Sequence, residues 1–192
     1  RMGIEPSLND IKKVTLPRPG HADLAGINKY DFDDIRNVIE RSSARETAMR
    51  VALGAICMKF LEDVSIKIHS RVLSIGKVFD SSTLTIEEYS SLNAKVDNSK
   101  FRCFDSSLEQ DMVDVIDDCK SKGDSIGGDI EVIALGLPYG LGSYTSWNEK
   151  LNAKLGKAIL SINGIKSFDV GLGELSEQKL GSELHDEIQY NQ

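Results

Sequence analysis

Two short stretches of this chain hold side chains whose types and spacing suit anion binding and proton transfer. The first reads Arg-Pro-Gly-His-Ala-Asp and begins at Arg18. A Pro/Gly turn would display His21, and the carboxylate of Asp23 follows two residues later, so this histidine could serve as a general acid near neutral pH. The alternative is an ordinary loop histidine beside an aspartate that caps its own turn.

The second stretch reads Arg-Ser-Ser-Ala-Arg-Glu-Thr and begins at Arg41. Arg41 and Arg45 flank the hydroxyls of Ser42 and Ser43 at the predicted start of a helix. The first-turn N–H groups, the helix dipole and the two guanidinium groups would together favour a phosphate or a carboxylate. The alternative is a capping box between Ser43 and Glu46, with both arginines solvated.

The remaining histidines and the cysteines do not form a metal-binding pattern. His69 and His185 have no second histidine at helical ligand spacing. Cys57, Cys103 and Cys119 are odd in number and lack a C-x-x-C motif, so neither a zinc site nor a disulfide framework is predicted. Cys57 lies in an apolar run and is predicted to be a core residue. No secretory signal is visible, and a cytoplasmic protein is expected.

Composition excludes several classes of protein. Of 192 residues, 40% are hydrophobic and 28% are charged, which is typical of a soluble globular protein, expected here as a single domain over 1–192. The net charge of −7 argues against a dedicated binder of nucleic acid or of anionic membranes. The longest uncharged segment, 132–148, is interrupted by glycines and a proline, so no membrane-spanning helix is predicted.

The elements that must position these residues follow from hydrophobic periodicity. Residues 1–31 hold three of the four prolines and are predicted to be irregular, and the tail from 171 is polar. The pattern predicts helices at 32–39, 44–61, 85–94, 106–122 and from a second capping box at Ser146 to about 160, and strands at 65–75, 127–138 and 162–170. Because this order lacks a repeating βαβ unit, we predict an α+β fold with an antiparallel sheet.

Taken in order, these segments resemble the chorismate synthases over nearly the whole chain. The most distinctive block is the pair of motifs RPGHAD at 18–23 and ERSSARET at 40–47. A second block comprises Gly140-Leu141-Gly142, Trp147, Lys150-Leu151 and 160–163, and a third is GSELHDE at 181–187. The match corresponds to the central portion of the family, and segments that family members carry on both sides are not in this sequence.

The resemblance implies a fold with a layer of helices between two antiparallel sheets, and a homotetramer without a nucleic-acid or membrane partner. It also implies a lyase reaction, the 1,4-anti elimination of phosphate from 5-enolpyruvylshikimate 3-phosphate to give chorismate. This is the last common step of the shikimate pathway to aromatic amino acids. Reduced FMN is the implied cofactor, and NADPH is one of the reductants that could supply it.

The resemblance assigns a role to eight residues. It makes His21 the general acid that protonates reduced flavin and makes Arg18 and Arg45 substrate ligands. The residues that it places in contact with FMN are Arg41, Ser42, Ser43, Asn163 and Gly164. No metal ligand is implied.

Departures from the family pattern leave other readings open. The absent segments include one with a second catalytic histidine and others that touch the flavin, so the chain is expected to be a piece of a longer enzyme. Within it, Gly164 stands where alanine is usual, Ser167 where glycine is usual and Glu174 where an aromatic residue is preferred. Two alternatives remain: an incomplete core that only binds FMN or anions or self-associates, and a generic anion-binding α+β domain with no preference for FMN.

Overall fold

A computed structural model describes residues 12–43, 45–186 and 188. The chain divides into two compact units, one formed by 1–53 with 140–192 and the other by 54–139. The single domain expected over 1–192 stays a prediction. Within the described residues, no helix is both long enough and apolar enough to cross a membrane.

The second unit is built on a three-stranded antiparallel sheet. Strand β1 (Lys67–Ile75) is central, between β2 (Val78–Phe79) and β3 (Gly128–Leu135). His69 lies opposite Ile133 on β3, and the register shifts between Val72 and Ser74. The antiparallel ladder of β1 and β3 confirms two of the predicted strands and the α+β class.

Two helices accompany this sheet and supply its core. They are α4 (Ile86–Val96) and α5 (Glu109–Ser121), the latter preceded by a 3₁₀ turn at Ser106–Leu108. Thr85 begins α4 with a capping box to Glu88, which satisfies two of the free N–H groups at the helix start. Leu92 and Val96 of α4 are fully buried and form a core cluster with the nearly buried Leu84, and Ile133 of β3 packs against them. The structure thus confirms the helix predicted at 85–94 and extends it to Val96.

The first unit is mainly helical. Its elements are α1 (Asp23–Tyr30), α2 (Arg36–Ser42), the beginning of α3 (Glu46–Asp63), α6 (Leu151–Leu160), a 3₁₀ segment at Gly173–Gln178 and α7 (Gly181–Leu184). Helix α1 lies in a segment that was predicted to be irregular. Gly26, which reads as a helix breaker, is needed inside α1 because a Cβ there would lie 2.5 Å from Cγ1 of Val38 on α2.

Two further predictions in this unit were wrong. Residues 162–170 do not form a strand. Ile165 N–H donates to the carbonyl of Ile162 in a turn, and Gly164 has a φ of +96°. Helix α6 begins after Lys150 rather than at the predicted capping box, because Glu149 N–H donates to the Ser146 carbonyl and closes a turn there instead.

Helix α3 is long, apolar and largely exposed. None of its residues is buried, although Val51 and Ile56 belong to its predicted apolar face, and they are 68% and 69% exposed. Cys57, predicted to be a core residue, is also exposed. Apolar side chains lie on all sides of this helix, which is typical of a helix in the interior of a larger protein.

Candidate functional site

The loop from Arg18 to Asp23 is closed by a carboxylate at the start of α1. Asp23 is fully buried and accepts hydrogen bonds from the Arg18 backbone N–H at 3.0 Å, from its Nε at 2.9 Å and from its Nη2 at 3.0 Å. These bonds, the side-chain bonds first, hold the pKa of Asp23 at about 2. The Arg18 side chain itself is 44% exposed. The guanidinium of Arg18 is thus held by Asp23 along one edge, while its other edge is accessible to solvent.

His21 lies at the exposed apex of the same loop. Its Nδ1 is 3.0 Å from the Pro19 carbonyl, an acceptor, so Nδ1 carries a proton and donates it in this hydrogen bond. Gly20 before it has a φ of +71°, a left-handed conformation that favours glycine. The Nε2 atom is therefore the ring nitrogen left for proton transfer.

The serine-arginine stretch lies across two helices. Arg41 and Ser42 form the end of α2, and Ser43 is extended, so these residues are not at a helix start as predicted. The Ser42 hydroxyl donates to the carbonyl of Val38 at 2.9 Å. The N-terminus of α3, which begins at Glu46, places the positive end of its helix dipole near this stretch.

The predicted capping box at Ser43 takes a different form. The Ser43 hydroxyl accepts from the backbone N–H of Arg45 at 3.1 Å rather than from that of Glu46. The carboxylate of Glu46 lies 3.5 Å from Nε of Arg50. Arg45 is exposed at the beginning of α3, so its guanidinium is accessible to an anion.

Two predicted cofactor segments, far apart in sequence, meet in this unit. Nδ2 of Asn163 donates to the carbonyl of Ser43 at 3.0 Å, across 120 positions of sequence. Arg50 reinforces this junction, because its Nη1 donates to the Ser161 hydroxyl at 2.9 Å and its Nη2 to the Ser161 carbonyl at 3.1 Å. The residues that the structure brings together are thus Ser43, Asn163 and, through its neighbour, Gly164.

Gly164 leaves open space at this junction. No atom lies within 4 Å of the position that a Cβ on Gly164 would occupy. Its φ of +96° would strain an alanine, the residue usual in the resembling family. The open backbone can therefore be approached closely by a ligand.

A cavity of about 490 Å³ lies between α1 and α2. Arg41 and Lys29 are cations in its lining, and the rings of Tyr30 and Phe32 stack with centroids 5.7 Å apart. The lining residues are Ala22, Ala25, Gly26, Lys29, Tyr30, Phe32, Asn37, Val38, Arg41 and Ser42. Because Ala22 directly follows His21, the histidine loop borders the cavity that contains two of the predicted cofactor residues. Such a cavity suits a ligand with an apolar, planar part and an anionic group.

No group of three or more metal-ligating side chains occurs within the described residues. The chemistry that the residue types of this site supply is anion binding by Arg18, Arg41 and Arg45 and proton transfer at His21.

The sequence as a whole matches the family model for chorismate synthase over residues 6–192. The chain belongs to the chorismate synthase family. It is 45% identical over 182 residues to the chorismate synthase of Caldicellulosiruptor bescii, a match that covers 95% of this chain and 48% of the relative. It is 48% identical over 198 residues to chorismate synthase 2 of a Bacillus cereus strain, a match that covers 100% of this chain and 50% of the relative.

The fold agrees with this assignment. A crystal structure of a chorismate synthase superposes with a TM-score of 0.83 at 40% identity, over 88% of this chain and 53% of that one. The resemblance and the fold class predicted from the sequence are therefore confirmed. The chain spans about half the length of the curated relatives that it matches.

Sequence reasoning missed two contributors to this region of the chorismate synthase fold. The sequence motifs did not include Arg50, whose side chain lies beside Glu46 and joins α3 to the end of α6. Asp23 appeared only as a companion of His21, whereas its contacts are with Arg18. The contact of Arg50 with Ser161 spans 111 positions and has no local sequence signal. The pair of Arg18 and Asp23 lies within one short motif, but the motif alone does not show which partner the carboxylate binds.

Proposed function

We propose that this chain carries part of the active site of a chorismate synthase. The reaction is the 1,4-anti elimination of phosphate from 5-enolpyruvylshikimate 3-phosphate, and the product is chorismate. The observation that carries the proposal is the hydrogen bond from Asn163 to Ser43, because it joins the two segments that the family resemblance assigns to the cofactor.

The substrate carries a phosphate and two carboxylates, which favours a pocket rich in arginine. Arg18 and Arg45 are the proposed substrate ligands, and each presents an accessible guanidinium. Arginine suits this task because its planar fork matches both carboxylate and phosphate oxygens. The protein can bind this anion despite a net charge of −7, since the field in a pocket is set by nearby charges.

Reduced FMN is the proposed cofactor, and when bound it supplies electron density as the carbon–oxygen bond to phosphate breaks. The residues proposed to hold it are Arg41, Ser42, Ser43, Asn163 and Gly164. Their surroundings fit such a group, because Gly164 has an open backbone and Arg41 lines a cavity with stacked aromatic walls.

His21 is the proposed general acid. Its Nδ1 proton is committed to the Pro19 carbonyl, so the proton that moves is held at Nε2. We also propose a cytoplasmic homotetramer, with NADPH among the candidate reductants of the flavin. The exposed apolar helix α3 supports assembly with further protein surface.

The decisive assay supplies reduced FMN and 5-enolpyruvylshikimate 3-phosphate to the protein under anaerobic conditions and measures chorismate and phosphate. We expect the two products in equal amounts from the protein at its natural length. Absence of both products, from folded protein saturated with reduced FMN, would contradict the proposal.

An incomplete core that binds FMN without turnover is the second candidate for the 192-residue chain taken alone. The short span relative to the curated relatives and the uncovered helix α3 favour it. Binding of FMN without chorismate formation by this chain, together with turnover by the full-length protein, would support it. Chorismate formation by this chain alone would exclude it.

A further inference from the structure

Asp23 is a buried carboxylate to which neither the family assignment nor the proposed reaction gives a task. Its side chain is fully buried, although it lies two residues after the exposed His21. A buried carboxylate is costly unless it is paired, so its partner indicates what it does. That partner is Arg18, through both the side chain and the backbone.

The geometry of the pair uses only one edge of the guanidinium. Nε donates to Oδ2 of Asp23 and Nη2 donates to Oδ1, a side-on bidentate arrangement. Within the described residues, Nη1 of Arg18 has no hydrogen-bond acceptor, and the side chain is 44% exposed. The outer edge, formed by Nη1 and the second proton of Nη2, remains available for a second bidentate contact with an anion.

The third bond of Asp23 fixes the loop itself. Oδ2 accepts the backbone N–H of Arg18, so the carboxylate ties together the two ends of the loop that carries His21. The same side chain therefore restrains the position of the proposed acid and the orientation of the proposed substrate ligand.

We infer that Asp23 is a positioning residue, which holds the guanidinium of Arg18 with its outer edge directed to the anionic substrate. The inference rests on the proposed function, since it takes Arg18 to be a substrate ligand. Its chemical consequence is that the arginine is oriented before the substrate arrives, so less rotational freedom is lost on binding.

The chain contains a matched control for this inference. Asp34, just before α2, likewise accepts the backbone N–H of an arginine, Arg36, at 3.0 Å and its Nε at 3.1 Å. Arg36 is not among the proposed ligands. Replacing either aspartate by asparagine removes a paired charge from the same unit, but only Asp23→Asn changes the surroundings of a substrate ligand.

The test compares Asp23→Asn and Asp34→Asn in the protein at its natural length, each with wild-type Arg18 and with Arg18→Ala. We expect Asp23→Asn to raise the KM for the substrate about 10- to 100-fold with a much smaller change in kcat, and to have little further effect when Arg18 is already alanine. Asp34→Asn should leave KM within about threefold of wild type. Equal KM values for the two variants, or an undiminished effect of Asp23→Asn without Arg18, would overturn the inference.

A second measurement reports on the pair without any turnover. In ¹⁵N-labelled protein, Nε–H of Arg18 should exchange with water more slowly than Nε–H of the exposed Arg45, and Asp23→Asn should remove the difference. Exchange as fast as that of Arg45 in the wild type would show that Asp23 does not hold Arg18. A folded wild type that shows slow exchange but neither binds nor converts the substrate would contradict the proposed function, while leaving the restraint of Arg18 by Asp23 intact.

Discussion

Each unit contains an arginine paired with carboxylates, and the two arginines differ in how far they are exposed to solvent. In the first unit, Arg18 is paired with the buried Asp23 but is itself 44% exposed. In the second unit, Arg71 on β1 is 4% exposed. Its Nε donates to Glu131 at 2.7 Å and its Nη2 to the Ser82 carbonyl at 3.1 Å.

The difference lies in what remains of each guanidinium after pairing. Little of Arg71 meets solvent: Asp80 is 1% exposed with an oxygen 3.9 Å from Nη1, and the ring of Phe104 lies 5.9 Å from the guanidinium carbon. Arg18 keeps an accessible edge. Since a buried pair contributes mainly to the integrity of a core, and an oriented but open one can bind an anion, exposure distinguishes the structural arginine from the candidate ligand.

The largest effect is expected at the proposed acid. Replacing His21 by alanine should lower turnover by about 10²- to 10⁴-fold while FMN still binds, because only proton transfer at Nε2 is lost. The histidine of the other unit, His69, is the comparison. It is buried, and burial, with the charge of Lys67, lowers its pKa.

His69→Gln should therefore leave turnover near the wild-type value. Steady-state kinetics measure the turnover of both variants, and flavin titrations measure their affinity for FMN. Near-normal turnover of His21→Ala would remove its assigned role.

The next largest effect is expected on the stability of the second unit. Arg71→Met should lower the free energy of unfolding by about 3 to 5 kcal/mol, because it leaves Glu131 and Asp80 without their cation. Lys122→Ala, which breaks an exposed pair with Asp118, should change the free energy of unfolding far less. Urea denaturation monitored by circular dichroism compares the two, and similar losses would mean that the Arg71 network is not a buried structural pair.

A smaller and more selective effect is expected at Arg45. Its replacement by alanine should weaken substrate binding about 10- to 100-fold, the range for a lost hydrogen bond between charged groups. Oxidised FMN should bind almost as before. Calorimetric titration with each ligand separates the two affinities, and equal weakening would indicate that Arg45 binds a different ligand from the one assigned.

The smallest effect concerns acid pH. The hydrogen bonds from Arg18 lower the pKa of Asp23 from 3.8 to about 2. A lowered carboxyl pKa stabilises the folded state above pH 3.8, and this contribution is lost as the pH falls towards 2.

The ¹³C chemical shift of the Asp23 carboxyl should therefore titrate near pH 2 in the wild type. In Arg18→Lys, which keeps the charge without the fork, it should titrate at higher pH. An unchanged midpoint would argue that the fork is not what lowers the pKa.

The helices and strands predicted correctly are those whose hydrophobic pattern in the sequence matches the burial of their side chains in the fold. Strand β1 alternates and lies within a sheet, and α4 places Leu92 and Val96 in a core. Helix α1 was missed because prolines and Gly20 precede it and Gly26 interrupts it, and only the approach of Val38 explains that glycine. Burial of Cys57 was predicted wrongly because it depends on what covers α3, which its own periodicity does not reveal.

The candidate site follows the same rule. The motifs around His21 and Ser43 were visible because their residues are close in sequence. Two contacts of the site join residues more than a hundred positions apart, namely Ser43 with Asn163 and Arg50 with Ser161. No periodicity or motif spacing could predict contacts over such distances in the sequence. The family resemblance identified the segments of Ser43 and Asn163 as cofactor-binding, but only the structure shows that they are in contact.

The central claim is that the contact between Asn163 and Ser43 builds part of a flavin site. An FMN titration of wild type, Asn163→Ala and Asn152→Ala, with and without 5-enolpyruvylshikimate 3-phosphate, tests it most directly. Asn152 is the matched control because it is exposed on α6 and, among the residues that the structure describes, its side chain bonds only to the adjacent Ala153 N–H. We predict FMN binding that the substrate strengthens in wild type and Asn152→Ala, and binding weakened about tenfold or more in Asn163→Ala. Equal FMN affinity of the three folded proteins, or no FMN binding by any of them, would contradict the account.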